Sequence, residues 1–145
     1  MQGYWRDAEL TARTFRRAPD SGERILYSGD YFCRDGDGFL YFVGRKDDMM
    51  KTRGERVSPK EIETLLCSMP GVLEAAVVPV PDEILGQAIK AFIVAMPEVE
   101  LSLQQVMKYC TASMEPALVP KYIVFLDELP KTANGKVDKS LLQSG

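Results

Sequence analysis

The strongest helical pattern of apolar and polar positions begins at Ser58. Four apolar residues follow at the spacing i, i+3, i+4 and i+7, the stripe of an amphipathic helix; they are Ile62, Leu65, Leu66 and Met69. Ser58, Pro59 and Glu61 supply an N-cap, a proline at the first helical position and the acidic residue of a capping box. The pattern therefore predicts a helix that starts at this cap and ends before the Pro-Gly pair at 70–71.

Runs of β-branched and other apolar residues predict a sheet beside this helix. The longer runs are Val72–Val80, Lys90–Ala95 and Lys121–Leu126, and two short β-prone segments, Met49–Lys51 and Arg56–Val57, precede them and flank a turn at Gly54. Ser102 and Gln105 form a second capping box, which predicts another helix before the last run. The order strand–helix–strand–strand–helix–strand predicts an α+β domain with helices packed on one side of a mixed sheet.

The first 44 residues carry a weaker pattern. Asp7 caps a predicted helix over residues 8–16, and "RDGDG" at 34–38 is a hairpin-turn signal that leads into the β-prone run Phe39–Val43. One helix and one hairpin bury too little apolar surface to be stable alone in water. We therefore expect residues 1–44 to be the end of another, larger domain.

Composition excludes several classes of function. The 145 residues include no histidine, which excludes mechanisms that need an imidazole base and removes a ligand from most zinc sites, so we predict no metal site here. The net charge of −3 argues against general binding of nucleic acid. No apolar run approaches the length of a membrane span, and three scattered cysteines fit a reducing compartment, so we expect a cytoplasmic protein.

Three short stretches carry residue types suited to chemistry with anions. "YSGD" at 27–30 ends a strand with an aspartate, which by itself is also typical of an ordinary turn. "GRKDDMMKTRGERVSPKEIE" at 44–63 concentrates arginine and lysine around Gly54; such a strip is typical of a solvated linker, but guanidinium groups also grip phosphates. "KTANGKVDK" at 131–139 is typical of an exposed turn with solvated lysines, and it lacks the spacing of a phosphate-binding P-loop.

Taken together and in this order, the stretches resemble the C-terminal part of the adenylate-forming superfamily, which includes acyl-CoA synthetases, the adenylation domains of nonribosomal peptide synthetases and luciferases. The resemblance covers nearly the whole chain and rests on four segments: "GYW" with "DAELTARTF" (3–15), "YSGDYFCRDGDGFLYFVGRKDDMMKTRGERVSPKEIE" (27–63), "GVLEAAVVPVPDEILGQAIKAFIV" (71–94) and "LPKTANGKVDKSLL" (129–142). It implies that residues 1–46 are the C-terminal strip of a large N-terminal domain and that residues 47–145 are a mobile C-terminal domain.

The resemblance also implies roles in binding the nucleotide and in the first reaction step. Asp30 would bind the ribose hydroxyls of ATP, Arg45 would lie near the ribose and phosphates, and Arg56 would approach the phosphates. Lys136 would contact both the carboxylate substrate and the α-phosphate while the acyl-adenylate forms. Magnesium would accompany ATP and be bound mainly by the N-terminal domain.

For the second step, the resemblance implies a change of arrangement about a hinge at Asp47. Lys51 and Gly54 would then turn into the active site, and Gly54 would let a pantetheine arm pass close to the backbone. The thiol acceptor would be CoA, and the implied partners are the N-terminal domain and a small carboxylic acid.

Two alternatives stay open at this point. The acceptor is CoA or the pantetheine thiol of a carrier protein, or the chain is a non-catalytic module that binds a nucleotide or a carrier. The phosphate loop and acyl pocket of the family have no counterpart in this sequence, so we expect the isolated chain to be inactive.

Overall fold

The computed structural model describes residues 3–143 of the chain, apart from the side chain of Asp47. The chain forms two compact units that divide between Asp47 and Asp48, one residue beyond the boundary expected from the sequence. Within the described residues, no helix has the length and apolar content needed to cross a membrane.

The first unit consists of one helix and two antiparallel hairpins. Its elements are α1 (Ala8–Thr14), β1 (Phe15–Arg17), β2 (Arg24–Leu26), β3 (Asp30–Arg34) and β4 (Leu40–Arg45), with β1 paired to β2 and β3 to β4. The cap at Asp7 is confirmed, because its side chain accepts a hydrogen bond from the Leu10 N–H at 2.8 Å. The predicted end of the helix at residue 16 is wrong: Phe15 is already extended, and its strand pairs with β2.

The predicted turn between β3 and β4 is confirmed, and a single carboxylate organises it. Asp35 Oδ1 accepts hydrogen bonds from the backbone N–H groups of Asp37 and Phe39, at 3.0 and 2.9 Å. The Tyr41 hydroxyl donates to Asp35 Oδ2 at 2.8 Å. This hydroxyl bond is the main cause that lowers the pKa of Asp35 and raises the pKa of Tyr41.

The first unit has almost no interior of its own. Among residues 3–46, Gly44 alone is buried, and α1 has no buried residue. Large apolar side chains are instead exposed, including Trp5 (87%), Phe39 (65%) and Leu40 (65%). An exposed apolar surface of this kind is typical of a face that another part of a protein covers.

The second unit is a small α+β domain, as the sequence predicts. Its elements are β5 (Met50–Thr52), β6 (Glu55–Val57), α2 (Pro59–Cys67), β7 (Val72–Asp82), β8 (Gly86–Ala95), α3 (Leu103–Ser113), β9 (Tyr122–Phe125) and α4 (Lys139–Gln143). Strands β5 and β6 form a hairpin, and the main sheet has the order β7-β8-β9. The sheet is mixed, because β7 is antiparallel to β8 whereas β9 is parallel to it.

Both faces of the main sheet are buried. Alternate strand residues such as Val77 and Ile93 join one apolar cluster with α2 and α3. Their neighbours Val78 and Phe92 point to the opposite face and join a second cluster with Leu129 and with Leu142 of α4. Helices α2 and α3 therefore share one face as predicted, but α4, which the sequence did not predict, covers the other. Burial on both faces explains why these strands are apolar nearly throughout.

One of the two predicted capping boxes is correct. The Ser102 hydroxyl accepts from the Gln105 N–H at 3.3 Å, while the Gln105 side chain accepts from the Ser102 N–H at 2.8 Å. Ser58 occupies the N-cap position of α2, but its side chain makes no cap bond, so the predicted box with Glu61 is wrong. Ser58 is buried at the start of the helix, with 1% of its surface exposed.

The loop after β7 is held by an ion pair. Asp82 accepts backbone hydrogen bonds from Ile84 and Leu85 through one oxygen and binds the Lys121 ammonium group through the other. Its side chain is only 5% exposed. The bond from Lys121, followed by the backbone bond from Leu85, lowers the pKa of Asp82 from its ordinary 3.8 to about 2.

This pair predicts a specific loss of stability in acid. The folded-state pKa of Asp82 lies below its unfolded value, so its contribution is full above about pH 4 and is lost as the pH falls toward 2. We expect Asp82→Asn to lower the urea midpoint at pH 6, and to flatten the fall in the unfolding free energy between pH 4 and pH 2.5. The measurement is urea unfolding followed by far-ultraviolet circular dichroism.

Asp127→Asn is the matched control, because Asp127 is exposed and makes no hydrogen bond or ion pair with any described residue. Its unfolding midpoint should follow that of the unmodified protein at both pH values. Equal acid sensitivity in the Asp82→Asn protein and the unmodified protein would contradict the account.

Candidate functional site

Asp30 and Arg45 meet at the start of β3 and the end of β4. They lie opposite each other in the hairpin register, and Arg45 Nη1 is 3.6 Å from Asp30 Oδ1. Arg45 Nη2 also donates to the Ser28 carbonyl at 3.3 Å. The Asp30 side chain is 24% exposed and that of Arg45 is 53% exposed, so both groups are still accessible to a ligand. This arrangement supplies a carboxylate that accepts hydrogen bonds beside a cation that suits phosphate.

A cleft of about 750 Å³ opens beside this pair within the first unit. Its lining is rich in cations and contains Arg13, Arg16, Tyr27, Asp30 and Arg45. The guanidinium group of Arg16 lies over the Tyr27 ring, with its carbon 5.0 Å from the ring centroid. Sequence patterns indicated Asp30 and Arg45 but not Arg13 and Arg16, because their exposed positions on and beside α1 resemble an ordinary solvated helix face.

Asp47 lies within the 3₁₀ turn Lys46–Asp48, between β4 and β5. It is the last residue of the first unit, and its side chain is outside the described part of the structure. The residue before it is fixed, because the Lys46 N–H donates to the Gly29 carbonyl at 2.7 Å. The predicted hinge role of Asp47 stays a prediction.

Lys51 and Arg56 lie directly opposite each other on the β5–β6 hairpin. Their side chains are exposed, while Met50, Thr52 and Val57 are buried on the other face. Neither cation makes a side-chain hydrogen bond or ion pair with any residue the structure describes. Like charges directly opposite each other in a hairpin are destabilising, by roughly 0.2–1 kcal/mol, unless something anionic binds between them.

The two-residue turn of this hairpin requires positive φ at both positions. Arg53 has φ 52° and Gly54 has φ 85°, the geometry of a type I′ turn, which matches the twist of the flanking strands. A side chain at Gly54 would meet no atom within 4 Å, so the backbone there faces open space. The hairpin is fixed to the main sheet, since the Lys51 N–H donates to Gln87 Oε1 on β8 at 2.8 Å.

Lys136 lies near the tip of a tight loop between β9 and α4. The Thr132 N–H donates to the Lys136 carbonyl at 2.7 Å, and the Gly135 N–H donates to the Thr132 carbonyl at 2.9 Å. An isolated β-bridge between Lys131 and Val137 closes the loop. The Lys136 side chain is exposed and makes no hydrogen bond or ion pair with a described residue, so its backbone is fixed while its ammonium group is available.

The two other lysines of this stretch are partly exposed, and each pairs with a carboxylate. Lys131 Nζ lies 2.8 Å from Glu74 Oε1 on β7, and Lys139 Nζ lies 2.7 Å from Glu63 Oε1 on α2. The Lys131 side chain is 48% exposed, as a solvated lysine would be, but the sequence interpretation missed its carboxylate partner. Its partner is 57 residues away in the chain, and no local pattern identifies a contact of that span.

The structure thus brings together some predicted residues and leaves others apart. Asp30 and Arg45 form one pair in the first unit, and Lys51, Gly54 and Arg56 share one hairpin in the second. Lys136 is on a separate loop of the second unit, and no hydrogen bond or ion pair joins it to that hairpin. Gln87, Glu63 and Glu74 were not predicted. Gln87 contacts the hairpin that carries Lys51, and the two glutamates pair with lysines on either side of Lys136.

Comparison with known proteins gives consistent results. 4-Hydroxybutyrate–CoA ligase 1 from Metallosphaera sedula is 44% identical over 119 residues, which is 79% of this chain and 21% of the relative. The ATP-bound structure of MatB from Rhodopseudomonas palustris is 34% identical, with a TM-score of 0.83 over 99% of this chain and 27% of that one.

A third relative was solved with a reaction intermediate. o-Succinylbenzoate CoA synthetase from Bacillus subtilis, in complex with its acyl-adenylate intermediate, is 28% identical, with a TM-score of 0.87 over 100% of this chain and 28% of that one. The chain therefore spans about a quarter of the length of the proteins it matches.

The family model described as AMP-binding enzyme C-terminal domain matches residues 61–136, which is just over half of the chain. The match begins within α2 and includes the whole of the main sheet and the loop up to Lys136. On this evidence the chain belongs to the AMP-binding enzyme C-terminal domain family.

Proposed function

We propose that the chain is the C-terminal part of an ATP-dependent, AMP-forming ligase that joins a carboxylic acid to the thiol of CoA. The observation that carries the proposal is the exposed ammonium group of Lys136 on a loop whose backbone is held by hydrogen bonds. Lys121, Lys131 and Lys139 each bind a carboxylate, whereas Lys51, Arg56 and Lys136 bind none among the described residues. Cations that a fold supports with ordered backbone but leaves without a partner are suited to an anionic substrate.

In the first step, a carboxylate oxygen attacks the α-phosphorus of ATP, and the bond from that phosphorus to the bridging oxygen breaks. Pyrophosphate leaves with the electron pair, and acyl-AMP forms. Two anions must approach each other, and the Lys136 ammonium group between them offsets their repulsion. One charge pair 4 Å apart is worth about 4 kcal/mol at an effective dielectric near 20, which is on the order of a thousandfold in rate.

Asp30 and Arg45 suit the nucleotide in both steps. The Asp30 carboxylate accepts hydrogen bonds from the two ribose hydroxyls, and the exposed Arg45 guanidinium lies beside it to meet the phosphates. Their ion pair of 3.6 Å orients the carboxylate without consuming all its acceptor positions. Magnesium accompanies ATP and is assigned to the N-terminal domain, because no carboxylate or cysteine cluster suited to a metal is found among the residues described here.

In the second step, the sulfur of CoA attacks the acyl carbonyl, and the bond from that carbon to the AMP oxygen breaks. AMP leaves, and the thiol proton passes to solvent. We assign the β5–β6 hairpin to this step: Lys51 and Arg56 meet the anionic groups, and the open backbone at Gly54 leaves room for the pantetheine arm. Asp47 is the proposed hinge between the two arrangements, and it lies where the compact units divide.

A large N-terminal domain is the proposed partner of the first unit. Residues 3–46 expose Trp5, Phe39 and other large apolar side chains, and Gly44 alone among them is buried. The matched proteins are about four times as long as this chain. We propose that the missing domain covers this face and contributes the acid pocket and the loop that binds the ATP phosphates.

CoA is preferred to a carrier protein as the thiol acceptor. The similar ligases and synthetases described above are named for CoA, which favours a free CoA substrate. A carrier protein uses the same pantetheine chemistry, so titration of the full-length protein with CoA and with loaded carrier proteins discriminates between the two. Tight nucleotide binding by this chain alone would instead favour a non-catalytic binding module.

Lys136→Ala in the full-length protein should separate the two half-reactions. We expect adenylate formation, measured as ATP–pyrophosphate exchange, to fall by about a thousandfold, because the cation between the two anions is lost. Thioester formation from premade acyl-AMP should stay within about twofold. Lys60→Ala is the control for removal of an exposed lysine. Equal loss in both half-reactions of Lys136→Ala would refute the role of Lys136 in adenylate formation.

The isolated chain should not catalyse the first step. Mixed with ATP and a panel of carboxylic acids, it should release no pyrophosphate above background, because the proposed acid pocket and phosphate loop lie in the missing domain. The full-length protein in the same assay is the positive control. Pyrophosphate release by the isolated chain at an enzyme-like rate would show that these residues contain a complete active site.

Asp47→Pro should restrict the change of arrangement. Proline fixes φ near −65° and removes a backbone donor, so we expect the thiol step of the full-length protein to slow at least tenfold while pyrophosphate exchange is largely retained. Asp47→Ala, which leaves the backbone free to rotate, should be close to the unmodified enzyme. An unaffected thiol step in Asp47→Pro would remove Asp47 from the hinge.

A further inference from the structure

The loop that carries Lys136 is attached to the domain at both of its ends. Leu129 on one side and Leu142 on the other are 3% and 5% exposed, and both are buried in the second apolar cluster. Between these two attachments, Lys131 is paired with Glu74 and Lys139 with Glu63. Lys136 therefore lies between two lysines, Lys131 and Lys139, that are each paired with a carboxylate.

Glu63 joins three elements through one carboxylate oxygen. Its Oε1 atom accepts from the Val77 N–H of β7 at 3.0 Å and lies 2.7 Å from Lys139 Nζ. Glu63 is on α2, and Lys139 is the first residue of α4. The Glu63 side chain is only 14% exposed, so its contact with Lys139 is largely shielded from water. This single group therefore fixes the start of α4 against both α2 and the outer strand of the sheet.

Helix α4 depends on such contacts for its position. It has five residues, and helices this short are not stable by themselves in water. Asp138 caps it by accepting from the Ser140 N–H at 3.1 Å. The Ser140 hydroxyl bonds the same carboxylate and is the main cause that lowers the Asp138 pKa. These local bonds hold the first turn together, while Leu142 and Lys139 attach the helix to the rest of the domain.

A short, hydrogen-bonded path connects Lys139 to Lys136. The Asp138 N–H donates to the Pro130 carbonyl, and the Lys136 carbonyl accepts from the Thr132 N–H, each at 2.7 Å. A shift at the start of α4 therefore displaces the backbone that carries Lys136, three residues earlier.

We propose that Glu63 is a positioning residue for Lys136, acting through Lys139 and α4. The inference rests on the proposed role of Lys136 in adenylate formation. Glu63 does not touch the substrate; it sets the place from which the lysine side chain extends. Displacement of a reacting group by about 1 Å can cost on the order of a hundredfold in rate, so a contact that limits such displacement affects catalysis.

The test uses the full-length protein with the variants Lys139→Met, Glu63→Gln and Lys139→Arg. Methionine keeps the length of the side chain but removes its charge. Glutamine keeps an oxygen that accepts from the Val77 N–H but no longer carries the charge that attracts Lys139. Lys121→Met is the matched control, because it breaks an ion pair of the same domain that is not attached to the Lys136 loop.

We expect Lys139→Met and Glu63→Gln to lower kcat for ATP–pyrophosphate exchange on the order of tenfold, with KM for ATP and acid within twofold. Thioester formation from premade acyl-AMP should be unchanged, since Lys136 does not act in that step. Lys139→Arg should retain at least half of the rate of ATP–pyrophosphate exchange. Lys121→Met should leave both half-reactions unchanged.

Hydrogen exchange gives a readout that does not depend on activity. In Lys139→Met, the amides of Thr132 and Gly135 should exchange faster, while amides in the centre of β7 and β8 keep their protection. Slower adenylate formation without faster hydrogen exchange of these loop amides would overturn the positioning role.

Other results separate this inference from the proposed function. Suppose that Lys136→Ala selectively abolishes adenylate formation. Three results then overturn the inference alone: an unchanged rate of ATP–pyrophosphate exchange in Lys139→Met, equal loss in both half-reactions, or no rescue by Lys139→Arg. If Lys136→Ala itself spares adenylate formation, the proposed role of Lys136 fails, and the positioning role fails with it.

Discussion

Burial of both faces of the β7–β8–β9 sheet is the constraint on which the rest of the second unit depends. Helices α2 and α3 cover one face, and the opposite face would leave Val78 and Phe92 in water without a second cover. The chain meets this requirement after β9 by placing Leu129 and Leu142 on that face. Each fully buried aliphatic side chain is worth about 1.5–3 kcal/mol, so the returning segment is bound firmly although most of it is loop. These attachments, together with Val137 packed against the same cluster, fix the backbone of the loop with Lys136.

The distribution of ion pairs follows from the same arrangement. Lysines near the sheet edges have carboxylate partners: Lys131 with Glu74, Lys139 with Glu63, and Lys121 with Asp82. The pairs of Lys131 and Lys139 hold the segments on either side of the loop, whereas Lys136 itself extends from ordered backbone into solvent. The β5–β6 hairpin also carries exposed cations on fixed backbone. Its buried face and a hydrogen bond to Gln87 fix the strands, while Lys51 and Arg56 lie opposite each other on the exposed face. An exposed cation on ordered backbone is suited to an anionic ligand, which is the role proposed for these residues.

Much of this fold can be predicted from periodicity and local turn chemistry. The stripe of α2, the capping box at Ser102 and the hairpin at Gly54 are local patterns, and the structure confirms them. Helix α4 was missed because five residues are too few to show a period. The pairing of Lys131 and Lys139 was also missed, since each partner lies in a different element and is close only after folding. The predicted site residues were recognised from motifs, but the side chains that support them become visible only from tertiary contacts.

In the proposed mechanism, the Lys136 loop delivers a cation to the reacting groups of the adenylation step. The most direct test is a crystal structure of the full-length protein with its acid and an ATP analogue whose α–β bridge cannot be cleaved. We expect Lys136 Nζ at hydrogen-bond distance, about 3 Å, from both a carboxylate oxygen and an α-phosphate oxygen, with Glu63 still bound to Lys139. Another cation in that position, with Lys136 extended into solvent, would refute the proposed role of Lys136.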